Sequence, residues 1–283
     1  MRSLLAVVLA SALAVGVPGC AGDDTGGGSE GAGASDRASL ADSTLGAWID
    51  RAGGLAAWDS VRTLRYTVTT ALYDSTGTVD WVRPRMVGIR KTPDGFMSRI
   101  ERPEGEGLYV QAFTGDTGWA TLNDHPLPPD HAAVEETEYV GRDVYYWIGL
   151  PYKLRDPGVN AEARRFEAGD APLLTRGQGG VEVRITFGEQ VGQHPGDRYF
   201  YYFLDEDPFP EEAHYIAEGS DSRNRMQWRD FRDQEPITYV GTRHYENEDR
   251  VPTKQLRIDD VVINPELPDS LFRAPDSSGR TAR

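Results

Sequence analysis

The chain has 283 residues and a formal net charge of −15, and 39 % of its residues are hydrophobic. This length and apolar content suffice for one large β domain or two small ones. The negative charge repels phosphate backbones and anionic lipid head groups, which argues against a nucleic-acid partner. Cys20 is the sole cysteine, so no disulfide within the chain can stabilise the fold.

The N-terminus has the parts of a secretory signal at residues 1–19. Arg2 supplies the positive charge, residues 4–15 form the apolar region, and small residues lead to Cys20. This apolar run is too short to span a bilayer comfortably as a permanent helix. Its ending, GVPGC, resembles the lipobox of bacterial lipoproteins, which implies cleavage before Cys20 and a diacylglycerol on its sulfur. An ordinary cleaved signal with an incidental cysteine is the alternative.

Residues 20–38 are predicted to form a flexible tether, because they contain glycine, serine and acidic residues and almost nothing to bury. A tether of this kind has a root-mean-square reach of roughly 23 Å. Ala21 follows the cysteine where an aspartate could stand. By resemblance to lipoprotein sorting rules, this implies a lipid anchor in the outer membrane and a body that faces the periplasm.

The folded body is predicted at residues 39–276 as a single domain, followed by a disordered tail at 277–283. A helix over residues 40–52 is predicted because apolar residues recur at helical spacing and Gly53-Gly54 stands where a C-cap belongs. The apolar residues of this helix are Leu45, Trp48, Ile49 and Ala52. A second helix is predicted near 131–149, where Val140, Val144, Trp147 and Ile148 share one face.

From residue 63 onward, apolar residues recur at every second position, which is typical of β-strands. In the first strand, one face is predicted to be buried and the other to carry Arg65 and Thr67. The buried set is Leu64, Tyr66, Val68 and Leu72. Turn sequences separate about ten or more such strands, and the linkers are mostly too short for helical crossovers. The sheet is therefore predicted to be antiparallel.

Several of these features together resemble the LolA/LolB-like superfamily of periplasmic lipoprotein carriers. They are the first helix with Trp48, the antiparallel meander, and the closing DDVVIN strand at 259–264. The Trp-rich segment YYWIGLP at 145–151 is similar to uncharacterised lipoproteins of that superfamily. The resemblance implies a mainly β (α+β) fold, in which a strongly curved antiparallel half-barrel sheet carries helices on its concave, open side. It also implies an apolar cavity for acyl chains.

A curved sheet cannot fill its own concave side with strands, so helices or a ligand must do so. We therefore expect a dry, apolar cavity beside the second helix, with Trp147 and Trp81 among its walls. The alternative for each wall residue is an ordinary place in the core. The full set of candidate wall residues is Tyr66, Trp81, Tyr109, Trp119, Val144, Trp147, Phe200 and Trp228.

The sequence contains no nucleophile elbow, His-Glu-x-x-His pair, phosphate-binding glycine loop or dinucleotide fingerprint. No enzyme activity and no cofactor are predicted. The pairs Asp124-His125 and Asp130-His131 carry carboxylate and imidazole groups, which are ligands that zinc accepts. No further partner for these two pairs can be assigned among the other histidines. A solvated, proline-stiffened loop is the preferred interpretation, and no metal site is predicted.

The leading hypothesis is a monomeric, non-catalytic, lipid-anchored envelope protein. Its half-barrel would bind an acyl chain or another apolar ligand in lipoprotein or lipid trafficking. One alternative is a protein-interaction or sensor module with a filled core and no small ligand. Another is a hydrolase whose site the sequence does not reveal.

Overall fold

The computed structural model describes residues 30–168, 178–189, 191, 194–205, 207–247 and 249–275. The expected signal, Cys20, the start of the tether and the tail at 277–283 lie outside these ranges. Within them, no helix combines the length and the apolar character needed to cross a membrane.

The helices are α1 (Glu30–Arg51), α2 (Leu55–Ser60), α3 (Ala132–Glu135) and α4 (Thr137–Ile148), with short 3₁₀ turns at Tyr152–Arg155 and Asp269–Leu271. The first helix starts earlier than expected, so residues 30–38 are helical and the prediction of a flexible tether is wrong for them. Residues 33–38 are exposed, and Ala34 and Ala38 have the highest helix propensity. Once packing of the later turns has nucleated a helix, such residues extend it at little cost.

The described residues contain thirteen strands in a single sheet, and all the neighbouring pairs are antiparallel, as predicted. The closing strand β13 lies between β1 and β12, and the sheet is open between its edge strands β6 and β7. The strands are β1 (Thr63–Tyr73), β2 (Val79–Thr92), β3 (Gly95–Glu104), β4 (Gly107–Phe113), β5 (Gly118–Leu122), β6 (His125–Pro126), β7 (Val159–Phe166), β8 (Gly180–Phe187), β9 (Arg198–Leu204), β10 (Pro210–Ile216), β11 (Arg223–Gln234), β12 (Ile237–Glu246) and β13 (Pro252–Ile263).

The face of the sheet that carries α1 and α4 is the concave face, and it holds the main core. In β1, Leu64, Tyr66 and Val68 are buried there while Arg65 is exposed, which confirms the predicted alternation for these residues. Thr67, predicted to be outside, is half-buried. Leu72 is only half-buried, so its prediction is wrong. It lies near the end of the strand, opposite Trp81 and Lys254, where the sheet is less covered.

The two long helices cover different halves of the concave face. In α1, Trp48 is 1 % exposed, and its ring lies 5.4 Å from that of Trp228 and 5.7 Å from that of Tyr201. In α4, Tyr145 stacks on Phe96 at 4.1 Å. The contacts place α1 over the strands from β7 to β11 and α4 over those from β3 to β5.

Candidate functional site

A small void lies where the Asp143 and Trp147 side of α4 meets the middle of the concave face. We call this contact region the seam. Its lining residues come from four adjacent strands and the helix: Tyr66, Val68, Arg85, Asp143, Val144, Trp147, Arg243, Leu256 and Ile258.

Strand register explains why these residues meet. Val68 of β1 pairs with Arg85 of β2 and with Ile258 of β13, and Leu256 pairs with Arg243 of β12. Directly paired residues of antiparallel strands point to the same face, so all of them face α4. Residues far apart in the sequence thereby form one surface.

The void is about 10 Å³ for the centre of a water molecule, which is room for roughly one water. The prediction of a roomy, dry, apolar cavity is therefore wrong for this conformation. Trp147 and the long side chain of Arg243 occupy the space that the helix was expected to leave empty. Three charged side chains, Arg85, Asp143 and Arg243, contribute to the lining.

Two hydrogen bonds of α4 involve residues that line the void. Tyr66 Oη donates to the carbonyl oxygen of Val144 over 2.9 Å, and Trp147 Nε1 donates to Asp143 Oδ1 over 2.7 Å. Burial raises the pKa of Tyr66, so its phenol stays protonated and remains a donor. One oxygen of the Asp143 carboxylate is thus already engaged within the helix.

Three cations lie on the concave face at the seam: Arg85, Arg243 and Lys254. The Arg243 guanidinium lies 4.2 Å from the centre of the Trp147 ring, and Lys254 Nζ lies 4.1 Å from the centre of the Tyr245 ring. Burial lowers the pKa of Arg85 and of Lys254, because removal from water penalises the charged form, while Asp143 opposes the shift. Arg85 and Arg243 of this set line the void itself.

Two donors at the seam are buried without a hydrogen-bond partner. Arg243 and Trp228 are each 4 % exposed, and Arg243 Nη1 and Trp228 Nε1 have no acceptor. The two residues are directly paired between β11 and β12. Unpartnered buried groups are uncommon in folded proteins and call for a specific reason.

The predicted wall residues are distributed over three places. Tyr66, Val144 and Trp147 line the void, and the Trp228 ring lies 6.4 Å from that of Trp147. Trp81 and Tyr109 share the concave face but lie away from the void, so the prediction of Trp81 as a wall is wrong. Arg83 lies 4.8 Å from the Trp81 ring centre, and Arg102 lies 5.0 Å from that of Tyr109.

Trp119 and Phe200 lie on the opposite face of the sheet, which contradicts their assignment to the cavity. Trp119 Nε1 donates to the carbonyl oxygen of Phe272 over 2.9 Å, in the C-terminal segment. Phe200 belongs to a separate cluster with Phe166, Tyr202 and Leu204. Because the β9 residues from Phe200 to Leu204 are all buried, burial alone does not distinguish the two faces of that strand.

Four residues of the seam were not predicted from the sequence: Arg85, Asp143, Arg243 and Lys254. A usable signal was present: in β2, Trp81, Arg83 and Arg85 alternate with outward-facing residues and continue the apolar face of Val87 and Ile89. Cations on the face that should be apolar are expensive to bury, so they indicate a site.

One of the two histidines in the proline-stiffened loop has a structural role. His131 Nδ1 accepts a hydrogen bond from the backbone N–H of Ala133 over 3.1 Å and so caps α3. His125 is exposed in β6. Across the described ranges, no group of three or more His, Cys, Asp or Glu side chains is placed to hold a metal ion.

A wider depression of about 480 Å³ lies between α1 and β7. Its charged groups are already paired: Asp42 with Arg155, and Asp156 with Lys153. Arg155 also donates to the Asp42 carbonyl oxygen over 2.9 Å. The seam, with its unpartnered donors, is therefore the stronger candidate site.

No family model and no curated protein sequence matches the chain. Among solved structures, a DUF1329 family protein from Desulfovibrio piger has a TM-score of 0.51 at 10 % identity, covering 82 % of this chain and 97 % of that one. An outer membrane lipoprotein-sorting protein domain from Vibrio parahaemolyticus has a TM-score of 0.49 at 8 % identity, covering 84 % and 97 %. A LolA superfamily protein from Nitrosomonas europaea has a TM-score of 0.45 at 11 % identity, covering 82 % and 97 %. At such low identity the likeness concerns the fold alone. The predicted open antiparallel sheet with helices on one face is confirmed by the strand order and the helix contacts.

Proposed function

We propose that the protein is a lipid-anchored, non-catalytic envelope protein that binds an acyl-bearing, amphipathic ligand at the seam. The observation that carries this proposal is the buried donor pair, Arg243 Nη1 and Trp228 Nε1. A buried donor without an acceptor costs about 1–3 kcal/mol, so a bound acceptor stabilises the site. The rings of Trp48, Trp147 and Tyr201 surround Trp228, so the acceptor is best supplied by a molecule with an apolar body.

Ligand entry requires movement, because the void has room for only about one water. The half-buried Trp147 contacts the sheet through Arg243, Trp228 and Tyr199, and its hydrogen bond goes to Asp143 of the same helix rather than to a strand. Displacement of this side chain therefore breaks ring contacts with the sheet and one hydrogen bond within the helix, from Trp147 Nε1 to Asp143 Oδ1. An acyl chain in its place regains similar apolar burial.

The proposed location follows from the N-terminus. Cys20 carries the lipid in the outer membrane, and the residues between Cys20 and α1 connect it to the body in the periplasm. The chain functions as a monomer and uses no cofactor. Its role is in lipoprotein or lipid trafficking, with acyl chains or lipoproteins as partners.

Binding of a fluorescent fatty-acid probe tests the proposal. We expect saturable binding to the wild-type protein at micromolar concentrations. Trp147→Ala should tighten binding about tenfold, the equivalent of about 1.4 kcal/mol, because the ligand no longer has to displace the ring. Trp119→Ala, on the opposite face, is the matched control and should leave affinity unchanged, with thermal melting confirming that both variants fold. Absence of saturable binding to the wild type would refute the proposal.

A second function is favoured by one observation, the water-sized void beneath α4. A core that is already filled suits an interaction or sensor module that contacts another envelope protein and takes no small ligand. The probe experiment separates the two functions, because only the binding protein gives a saturable signal whose affinity changes in Trp147→Ala.

A further inference from the structure

Positive charge at the seam exceeds the negative charge there. Among the described residues, neither arginine of the seam, Arg85 or Arg243, nor Lys254 has a carboxylate oxygen within 4.0 Å. Asp143 is the one acidic residue of the lining, and its Oδ1 is engaged by Trp147. The lining and its lysine neighbour therefore contain three cations and one anion.

A buried arginine on the other face provides an internal comparison. Arg225 is 3 % exposed and Arg243 is 4 % exposed, so both are almost fully removed from water. Arg225 Nη2 lies 2.5 Å from Glu212 Oε1, and its Nη1 lies 2.5 Å from Glu246 Oε2. Arg243 has no such partner, although acidic residues outnumber basic ones by 45 to 30 in this chain. The protein thus neutralises a buried arginine in one place and leaves one unpaired at the seam.

Aromatic rings orient the seam cations without neutralising them. The Trp147 ring lies against the Arg243 guanidinium, and the Tyr245 ring lies against the Lys254 ammonium group. Such contacts stabilise a cation through the ring quadrupole and leave its full charge in place. The Nη1 edge of Arg243 remains without an acceptor. A guanidinium held in this way is suited to bind a carboxylate or phosphate oxygen.

We propose that Arg243, Arg85 and Lys254 form an oxyanion site that binds the carboxylate or phosphate head group of the ligand. This inference rests on the proposed function and adds the charge of the ligand to it. The rest of the protein is acidic, so it repels free anions and gives them little affinity. The acyl chain of an amphipathic ligand supplies the affinity that a free anion lacks. The site is therefore assigned to the head group of such a ligand.

Displacement of the fatty-acid probe by hexadecanoic acid and by its neutral methyl ester tests this inference on the full chain. In the wild type, the acid should displace the probe at about tenfold lower concentration than the ester. In Arg243→Gln combined with Lys254→Gln, the ratio should fall to about one. Arg257→Gln is the control, because Arg257 neighbours Leu256 on β13 and faces the other side of the sheet. It should keep the wild-type ratio.

The outcomes separate the two proposals. If the probe binds but acid and ester displace it equally from the wild type, the oxyanion site is refuted while the acyl-binding function stands. If the probe does not bind, both fail. Inorganic phosphate provides the third arm and should leave displacement by the acid and by the ester unchanged, because a free anion has little affinity for the site. Saturable phosphate binding without any preference for the acid over the ester would assign the site to a free anion and overturn the head-group inference.

Discussion

At the scale of single residues, two buried arginines, Arg225 and Arg243, have very different surroundings. Breaking a paired buried charge is costly because the remaining partner stays buried and uncompensated, whereas removing an unpaired one relieves a desolvation penalty. Arg225 has two carboxylate partners, Glu212 and Glu246. Arg243 instead lies against the Trp147 ring and beside the void.

The comparison gives a stability prediction for the ligand-free protein. Arg243→Met should raise the free energy of unfolding by about 1–3 kcal/mol, and Arg225→Met should lower it by about 3–5 kcal/mol. Urea unfolding at matched ionic strength measures both. A loss of stability in Arg243→Met would mean that its contacts with Trp147 are structural, and the site argument would lose its basis.

His214 gives a prediction about pH. It is 1 % exposed, with Nε2 3.3 Å from Glu212 Oε2 and with Tyr202, Arg223 and Arg225 as its other neighbours. Burial lowers the pKa of His214 below its ordinary 6.5 despite the adjacent carboxylate. The unfolded chain then binds this proton more tightly than the folded chain does. Stability is therefore present above the ordinary pKa and lost as the pH falls below it.

Between pH 7 and 5, the wild type should lose up to about 1.4 kcal/mol of stability per pH unit through this group. His214→Gln should show a flatter dependence, and His125→Gln, at an exposed position, should follow the wild type. Burial would raise the pKa of Glu212, but hydrogen bonds from Arg225 and His214 lower it, so its contribution is lost only below its ordinary 4.5. Equal pH dependence in all three proteins would contradict this assignment.

The buried residues of a strand were predicted correctly where only one of its faces is buried. In β1, the alternation of Leu64, Arg65 and Tyr66 identified the core face correctly. In β9, residues of both faces are buried, so Phe200 and Tyr201 looked equivalent although they belong to different clusters. The seam cations were missed because periodicity was used only to find apolar residues, although Arg85 continues the buried face of Val87 and Ile89 and could have been identified by that position.

At the scale of elements, the contact between α4 and the sheet depends on a glycine. A Cβ added at Gly141 would lie 2.5 Å from Ser98 Oγ and 3.0 Å from Phe113 Cβ, so the helix approaches β3 and β4 closely there. This approach brings Asp143 and Trp147 down to the seam. Any larger residue at this position has to move the helix or its neighbours.

Gly141→Ala should therefore destabilise the protein by about 1–3 kcal/mol, since overpacking outweighs the gain in helix propensity. Gly46→Ala in α1 is the matched control, because the nearest atom to its added Cβ is Arg155 Nη2 at 3.8 Å. It should stabilise by about 0.5–1 kcal/mol. Stabilisation by both substitutions in urea unfolding would show that α4 is not closely packed at Gly141.

The helices were predicted with different success at their two ends. The end of α1 agreed within one residue, because Gly53-Gly54 adopts the positive φ angles that glycine allows. Its start was missed by about ten residues, since an exposed helical turn has no apolar pattern to reveal it. The second predicted helix is interrupted once, and the His131 cap marks the beginning of α3.

At the scale of the whole molecule, the meander predicted from short linkers and turn sequences is the observed topology. The pairing of β13 with β1 joins residues almost two hundred positions apart, and only the family resemblance suggested how the chain closes. The size of the space beneath α4 was not predictable. It depends on how Trp147 and Arg243 pack together, which periodicity does not encode.

The proposed anchor gives a prediction for the whole protein. Cys20→Ser should move the protein from the membrane pellet to the soluble fraction, because the acyl chains on Cys20 provide the stable attachment. Mass spectrometry of the wild-type N-terminal peptide should show the lipid mass on Cys20. An unmodified thiol there would refute the anchor and leave binding at the seam unaffected.

Native mass spectrometry of wild-type protein purified from its own envelope tests the central claim most directly, since it detects the ligand that the seam holds in the cell. We predict a bound species with an acyl chain and an acidic head group, retained by the wild type and lost from the Arg243→Gln, Lys254→Gln double variant. Bare protein in every charge state under gentle ionisation, for wild type and variant alike, would contradict the account.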